Sequence, residues 1–91
     1  MSYDELIYTL YKLARETDDE ELQGYLLDLG WFVKKNGVYT ENEHSDEEIH
    51  FADLLDRLKL MSGQAKSMSD RMAINELRYR LSESKEIWIN Q

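Results

Sequence analysis

The stretch FADLLDRLKLMSGQAKSMSDRMAINELRY, residues 51–79, decides the fold. Mostly apolar residues recur in it at alternating intervals of three and four positions. The series is Phe51, Leu54, Leu58, Met61, Ala65, Met68, Met72, Asn75 and Tyr79. Such spacing places the side chains on one face of helical structure and is typical of the a/d seam of a heptad repeat. The stretch therefore predicts either two packed helices or one long helix.

The seam runs past Ser62-Gly63 without a proline, which leaves both alternatives open. In the first, a helix ends near Met61 with Gly63 beyond its end, and another begins after Ser67 or Ser69. In the second, one helix spans about 46–82, because an interior glycine costs only about 1 kcal/mol. That helix would be ~55 Å long, so it predicts a homodimer. Its self-association residues would be Leu58, Met61, Met68 and Met72. We favour the break.

The N-terminal part predicts two further helices. Ser2-Tyr3-Asp4-Glu5 is a capping box ahead of an apolar helical pattern, which predicts a helix over 3–16. Thr17-Asp18-Asp19-Glu20 is a second capping box, and Leu22, Leu26 and Leu29 follow on one face. The short link predicts that these two helices form a hairpin.

The end of the second helix is ambiguous in the sequence. Asn36-Gly37 between β-forming residues is a strong signal for a β-hairpin, here over 31–40. The apolar spacing also continues from Leu29 to Phe32 and Val33, which predicts a longer helix that Asn36-Gly37 ends. We favour the longer helix.

A polar loop over 36–45 precedes a third capping box, Ser45-Asp46-Glu47-Glu48, where we expect the next helix to begin. The predicted fold is therefore all-α, with residues 1–91 forming a single domain. Its architecture is a small four-helix arrangement of two helical hairpins.

Composition excludes several classes of protein. The 91 residues include no cysteine, which excludes disulfides, thiolate metal sites and a cysteine nucleophile. No apolar run approaches the ~18 residues that a membrane span needs, and the first residues do not resemble a signal peptide. We expect a cytoplasmic protein that holds no metal or cofactor and binds no membrane.

Charge is distributed unevenly along the chain. The net charge of −8 divides into −11 on residues 1–56 and +3 on residues 57–91. This acidity disfavours direct binding to nucleic acid. Acidic residues at helix starts are explained locally by the helix dipole, but those in the polar loop are not. The candidate partner-binding acids are Asp18, Asp19, Glu20, Glu21, Glu41, Glu43, Asp46, Glu47 and Glu48.

Two patterns point to metal chemistry but are incomplete. Glu41-Asn42-Glu43-His44 and Glu47-Glu48-Ile49-His50 share the spacing with which ferritin-like bundles hold metals, but those bundles need the motifs on separate helices, and here they lie six residues apart. Glu20-Glu21 and Glu43-His44-Ser45-Asp46 resemble fragments of the carboxylate motifs of small all-helical nucleotide pyrophosphatases. That resemblance implies a magnesium-dependent enzyme, but Gly24 stands where its third carboxylate would fall.

The functional expectation is a non-enzymatic acidic helical protein that binds and modulates or inhibits a partner protein. In its sharper form, the carboxylates imitate phosphates and occupy the basic surface of a nucleic-acid-binding protein. This composition is common among accessory proteins of phages and plasmids. An aromatic contact surface is a second expectation, formed by Tyr8, Tyr11, Trp31 and Tyr39. The remaining alternatives are a homodimeric structural or regulatory protein and the magnesium-dependent enzyme.

Overall fold

Two packed helices form the N-terminal part of the protein. The computed structural model describes residues 3–39 and 49–83. Helix α1 spans Tyr3–Glu16 and helix α2 spans Glu20–Asn36, and they make the most extensive contact between any two described elements. The bounds of α1 are those that the sequence predicts. Helix α1 buries Leu6, Leu10 and Ala14, which recur every four residues and so form one apolar stripe.

The start of α2 differs from the predicted capping box. Asp19, not Thr17, is the N-cap, and its side chain accepts hydrogen bonds from the backbone N–H groups of Glu21 and Leu22 at 3.1 and 3.2 Å. The carboxylate thereby satisfies two N–H groups that have no partner within the helix. The hydroxyl of Thr17 instead donates to the side chain of Asp70.

Helix α2 continues through Trp31, Phe32 and Val33, so the β-hairpin alternative over 31–40 is wrong for residues 31–36. Gly37 ends the helix with a φ of 87°, and its N–H donates to the carbonyl of Val33 at 2.9 Å. A residue with a side chain rarely adopts this φ, which explains why glycine stands here. The Asn-Gly pair is thus the end of a helix.

The second half begins with a short strand rather than at the third capping box. Strand β1, Val38–Tyr39, pairs in parallel with β2, Ile49–His50. Helix α3 follows at once and spans Phe51–Gln64, so it begins five residues after the predicted start near residue 46. The capping box at 45–48 lies outside the described residues.

Helices α3 and α4 are separate, which excludes the single long helix. Helix α4 spans Met68–Glu83, beginning directly after Ser67 as the favoured alternative predicts. The break itself lies at residues 65–67, and Gly63 is an interior residue of α3 rather than its end. Space around Gly63 is open, so nothing there forces the helix to stop.

The protein is all-α, and its described residues form four helices around one continuous apolar core. The core contains Leu6, Leu10, Ala14, Leu22, Leu26, Leu29, Val33, Val38, Phe51, Leu54, Leu58, Met61, Ala65, Ile74, Leu77 and Leu81. Helix α3 packs mainly on α4, and α1 also contacts α4. Within the described ranges, no helix has both the length and the apolar character that crossing a membrane requires.

Candidate interaction groove

At one end of the bundle, a threonine side chain connects the turn between α1 and α2 to α4. Thr17 lies in the turn between α1 and α2 and is only 7% exposed. Its hydroxyl donates to Oδ2 of Asp70 at 2.7 Å and accepts from the backbone N–H of Asp19 at 3.1 Å. The turn between α1 and α2 is therefore joined directly to the first turn of α4.

The start of α4 is capped in a way that presents Asp70 to Thr17. Ser67 precedes the helix, and its hydroxyl accepts from the backbone N–H of Asp70 at 3.1 Å. Arg71 donates from Nε to the carbonyl of Ala65 at 2.8 Å, which secures the turn that follows α3. Two helix starts, those of α2 and α4, consequently meet at this end.

An open groove of about 780 Å³ lies between these two turns. It is called the acidic groove below. Its lining comprises Glu16, Asp18, Asp19, Glu20, Glu21, Lys66, Ser67, Ser69 and Asp70. Six carboxylates and one ammonium group thus line it, and the helix starts of α2 and α4 supply the partial positive charge that offsets some of the repulsion.

The six carboxylates divide into two kinds. Asp19 and Asp70 are held by the capping and threonine contacts and form part of the framework. Glu16, Asp18, Glu20 and Glu21 are exposed to solvent. Exposed carboxylates on a fixed framework are suited to long-range attraction and to ion pairing with a cationic surface.

Glu21 is linked to a neighbouring aromatic residue. The hydroxyl of Tyr25, one turn further along α2, donates to Oε1 of Glu21 at 3.2 Å. This hydrogen bond and the negative charge of Glu21 raise the pKa of Tyr25 above its ordinary value. Tyr25 thereby extends the polar rim of the acidic groove along α2.

The sequence predicted part of this groove. Asp18, Asp19, Glu20 and Glu21 come together as expected, whereas Glu16 and Asp70 were missed. The predicted acids Glu41, Glu43, Asp46, Glu47 and Glu48 lie outside the described residues. Among the residues that the structure does describe, no three His, Asp or Glu side chains are grouped closely enough to hold a metal ion.

The predicted aromatic surface is divided. Tyr8 and Trp31 are 60% and 59% exposed. Tyr11 is half-buried and packs where α1 and α2 approach closely, with its ring next to Gly30. Tyr39 contributes its backbone to β1, and its side chain lies outside the described part.

The predicted self-association residues also divide, and half of them require correction. Leu58 and Met61 are buried in the core of the protomer because α4 packs over this face of α3. They are therefore unavailable to a second copy. Met68 and Met72 are instead 67% and 65% exposed. Leu60 and Tyr79, which were not among the predicted site residues, are exposed to a similar degree.

Comparisons with protein-family models, with curated proteins and with solved structures found no match for this chain.

Proposed function

We propose that this protein is a non-enzymatic interaction protein whose acidic groove binds a partner protein with a basic surface. One observation carries the proposal: six carboxylates, five from residues 16–21 and the sixth from Asp70 of α4, line a single groove that contains one lysine. Carboxylates that merely keep a protein soluble need no such convergence. Here the buried Thr17 links the turn before α2 to Asp70 of α4, so the two groups of acids are held next to each other.

The partner that fits best is a protein that itself binds nucleic acid. Such proteins carry clustered Lys and Arg side chains that neutralise phosphates. The exposed carboxylates of Glu16, Asp18 and Glu20 would pair with those side chains in place of phosphates. Binding would then occlude the partner's nucleic-acid site, which is the basis of the proposed inhibition.

The experiment compares capture by two variants of equal charge. Asp18→Lys with Glu20→Lys reverses two groove acids, and Asp28→Lys with Asp56→Lys reverses two exposed acids of α2 and α3 that do not line the groove. We expect the wild type and the second variant to capture the same partner at low salt, and the first variant to lose it. Equal capture by all three proteins would refute the role of the groove.

Competition with nucleic acid tests the sharper form of the proposal. If the carboxylates imitate phosphates, added double-stranded DNA or RNA should displace the captured partner, because both ligands need the same basic surface. The complex should also weaken steeply as salt rises from low to moderate concentration. A partner that holds nucleic acid and this protein simultaneously would exclude mimicry while leaving an acidic interface intact.

Two other surfaces are distinguished in the same assay. An apolar interface predicts that Tyr8→Ala or Trp31→Ala weakens capture more than reversal of the groove acids. The acids of the polar loop remain a sequence prediction, which the triple change Glu41→Lys, Glu43→Lys and Glu47→Lys tests.

We place the protein in the cytoplasm, since a chain with no cysteine needs no oxidising compartment to fold.

A further inference from the structure

The outer face of α4 is an unburied apolar stripe. It consists of Met68, Met72, Asn75 and Tyr79, all of which are exposed, and it is called the α4 stripe below. Met68, Met72 and Tyr79 are each about two-thirds exposed, at 67%, 65% and 65%. The core face of the same helix carries Ile74, Leu77 and Leu81. At 100° per residue, the two faces lie on nearly opposite sides of the helix.

The α4 stripe continues the heptad spacing of α3 on the other side of the turn. Met72 and Tyr79 occupy a positions, and Met68 and Asn75 occupy d positions. On α3 this seam is buried within the protomer, but on α4 it faces solvent. Helix α4 therefore has two apolar faces, and the fold buries one of them.

Charged residues flank the α4 stripe in a regular order. The e positions beside it are Ser69, Glu76 and Glu83, and the g positions are Arg71 and Arg78. One edge of the stripe is thus acidic and the other basic. Because e and g residues set the partner and the orientation of paired helices, this order indicates what covers the stripe.

We propose that the α4 stripe binds the α4 stripe of a second copy of this chain, with the two helices parallel. In a parallel pair, each g residue faces the e residue five positions later on the other helix. Arg71 then faces Glu76 of the second copy, and Arg78 faces its Glu83. An antiparallel pair would place arginine beside arginine and glutamate beside glutamate. The charge order therefore selects the parallel dimer.

Asn75 favours the same arrangement. In a parallel pair with this register it meets Asn75 of the second copy, so the two amides can hydrogen-bond to each other instead of facing an apolar side chain. Arg78 donates from Nη1 to Oδ1 of Asn75 at 3.1 Å, which orients this amide beside the stripe. Among the buried side-chain atoms of the described residues, Nε of Arg78 has no hydrogen-bond partner, so it is a donor that the protomer leaves unsatisfied.

The parallel arrangement has a consequence for the acidic groove. Asp70 and the start of α4 form one side of that groove, so both grooves of the dimer would lie at the same end. Two grooves side by side would bind a partner with two basic surfaces more tightly than one, through higher effective concentration. The dimer itself rests on α4 alone and stands or falls independently of the proposed function.

Sedimentation equilibrium over a wide range of protein concentration tests the dimer. A stripe on one 16-residue helix is small, so we expect dissociation in the range of about 1 μM to 1 mM. Met72→Asp should weaken association by about tenfold or more, because it places a carboxylate in the seam. Leu60→Asp is the matched control, since Leu60 is equally exposed on α3 at 64%. A monomer at every concentration would overturn the proposal, as would equal effects of the two changes.

Charge variants and single cysteines test the orientation. Glu76→Arg with Glu83→Arg should weaken a parallel dimer, because each arginine would then face an arginine of the second copy. In an antiparallel dimer the change replaces repulsion between glutamates with repulsion between arginines, so the affinity should change little. The chain has no cysteine of its own, so Met68→Cys and Tyr79→Cys each introduce one thiol. A parallel dimer forms a disulfide between copies in both variants. An antiparallel dimer cannot, because the two positions are about 16 Å apart along the helix. If neither variant cross-links faster than Leu60→Cys, the proposed dimer through the α4 stripe is contradicted.

Discussion

Thr17 and Asp70 are 53 positions apart in the chain, yet their side chains share a hydrogen bond of 2.7 Å from Oγ1 to Oδ2. This contact joins the α1–α2 turn to the start of α4. On the surface, Glu5 of α1 and Arg80 of α4 form an ion pair, with 3.9 Å between Oε2 and Nη2. The surface pair is exposed and contributes little. The buried threonine therefore supplies the stronger of these two polar contacts, and it holds Asp70 next to the α1–α2 turn.

Removing the Thr17 hydroxyl should destabilise the fold. Thr17→Val keeps the shape of the side chain but leaves Asp70 without its donor and the N–H of Asp19 without its acceptor. We expect a loss of about 1–3 kcal/mol in the free energy of unfolding, measured by urea denaturation. Thr17→Ser retains the hydroxyl and should lose less. Identical losses in the two variants would show that the methyl group, rather than the hydrogen bond, matters.

Asp19 and Asp18 should differ although they are neighbours with the same side chain. Asp19 caps α2 through its side-chain oxygen, so Asp19→Ala should cost about 1 kcal/mol. Asp18 is exposed, and we expect Asp18→Ala to change stability by no more than about 0.5 kcal/mol. Thermal unfolding of the two variants side by side measures the difference. A loss for Asp18→Ala as large as that for Asp19→Ala would contradict the capping role of Asp19.

The two glycines of α2 should respond oppositely to alanine. Gly24 has open space around it, so Gly24→Ala should stabilise the helix by about 0.5–1 kcal/mol. A Cβ at Gly30 would lie 2.9 Å from Cε1 of Tyr11, so the ring would have to move. We expect Gly30→Ala to be no more stable than the wild type.

A double variant separates the two effects at Gly30. With Tyr11→Ala the obstructing ring is gone, so adding Gly30→Ala should then be less harmful than it is in the wild type. Urea denaturation of the four proteins gives the coupling between the two positions. If Gly30→Ala stabilised the wild type as much as Gly24→Ala does, the close approach of α1 and α2 would be refuted.

The hydroxyl of Tyr25 reports the charge of Glu21. Glu21 raises the pKa of Tyr25 by accepting its hydrogen bond and by its negative charge. Glu21→Gln should therefore lower this pKa towards the ordinary tyrosine value, as followed by NMR titration of the ring. Since the raised pKa belongs to the folded state, its stabilising effect is present below about pH 10 and is lost as pH rises through the folded pKa. An unchanged titration in Glu21→Gln would exclude the contact.

The sequence predicted the elements better than it predicted which faces they bury. The heptad spacing correctly identified the core face of α3, from Phe51 to Met61. It failed on α4 because the turn at 65–67 changes which face of the next helix points to the core. A spacing pattern counted straight across the turn does not include that change. The residue types could have shown which face of α4 is buried. The face with Ile74, Leu77 and Leu81 can enter the core without burying a polar side chain. Burying the α4 stripe would have buried the amide of Asn75.

The acidic groove shows a similar limit. Local spacing was enough to group Asp18 with Glu21, because both lie at one helix start. Asp70 joins them only because two turns that are distant in sequence meet at the same end of the bundle. That meeting depends on the lengths of all four helices, and the predicted start of the third helix was five residues early. Glu16 could have been included among the predicted groove acids, because it directly precedes the turn between α1 and α2.

The measurement that tests the central claim most directly is the affinity of the captured partner, once purified, for three proteins at two salt concentrations. These are the wild type, the Asp18→Lys/Glu20→Lys variant and the Asp28→Lys/Asp56→Lys control. If the acidic groove is the binding surface, the groove variant should bind at least about tenfold more weakly. The control should retain most of its affinity, and added salt should weaken the wild-type complex. Equal affinities for the two charge-reversed variants, or binding of the wild type that does not change with salt, would contradict the account.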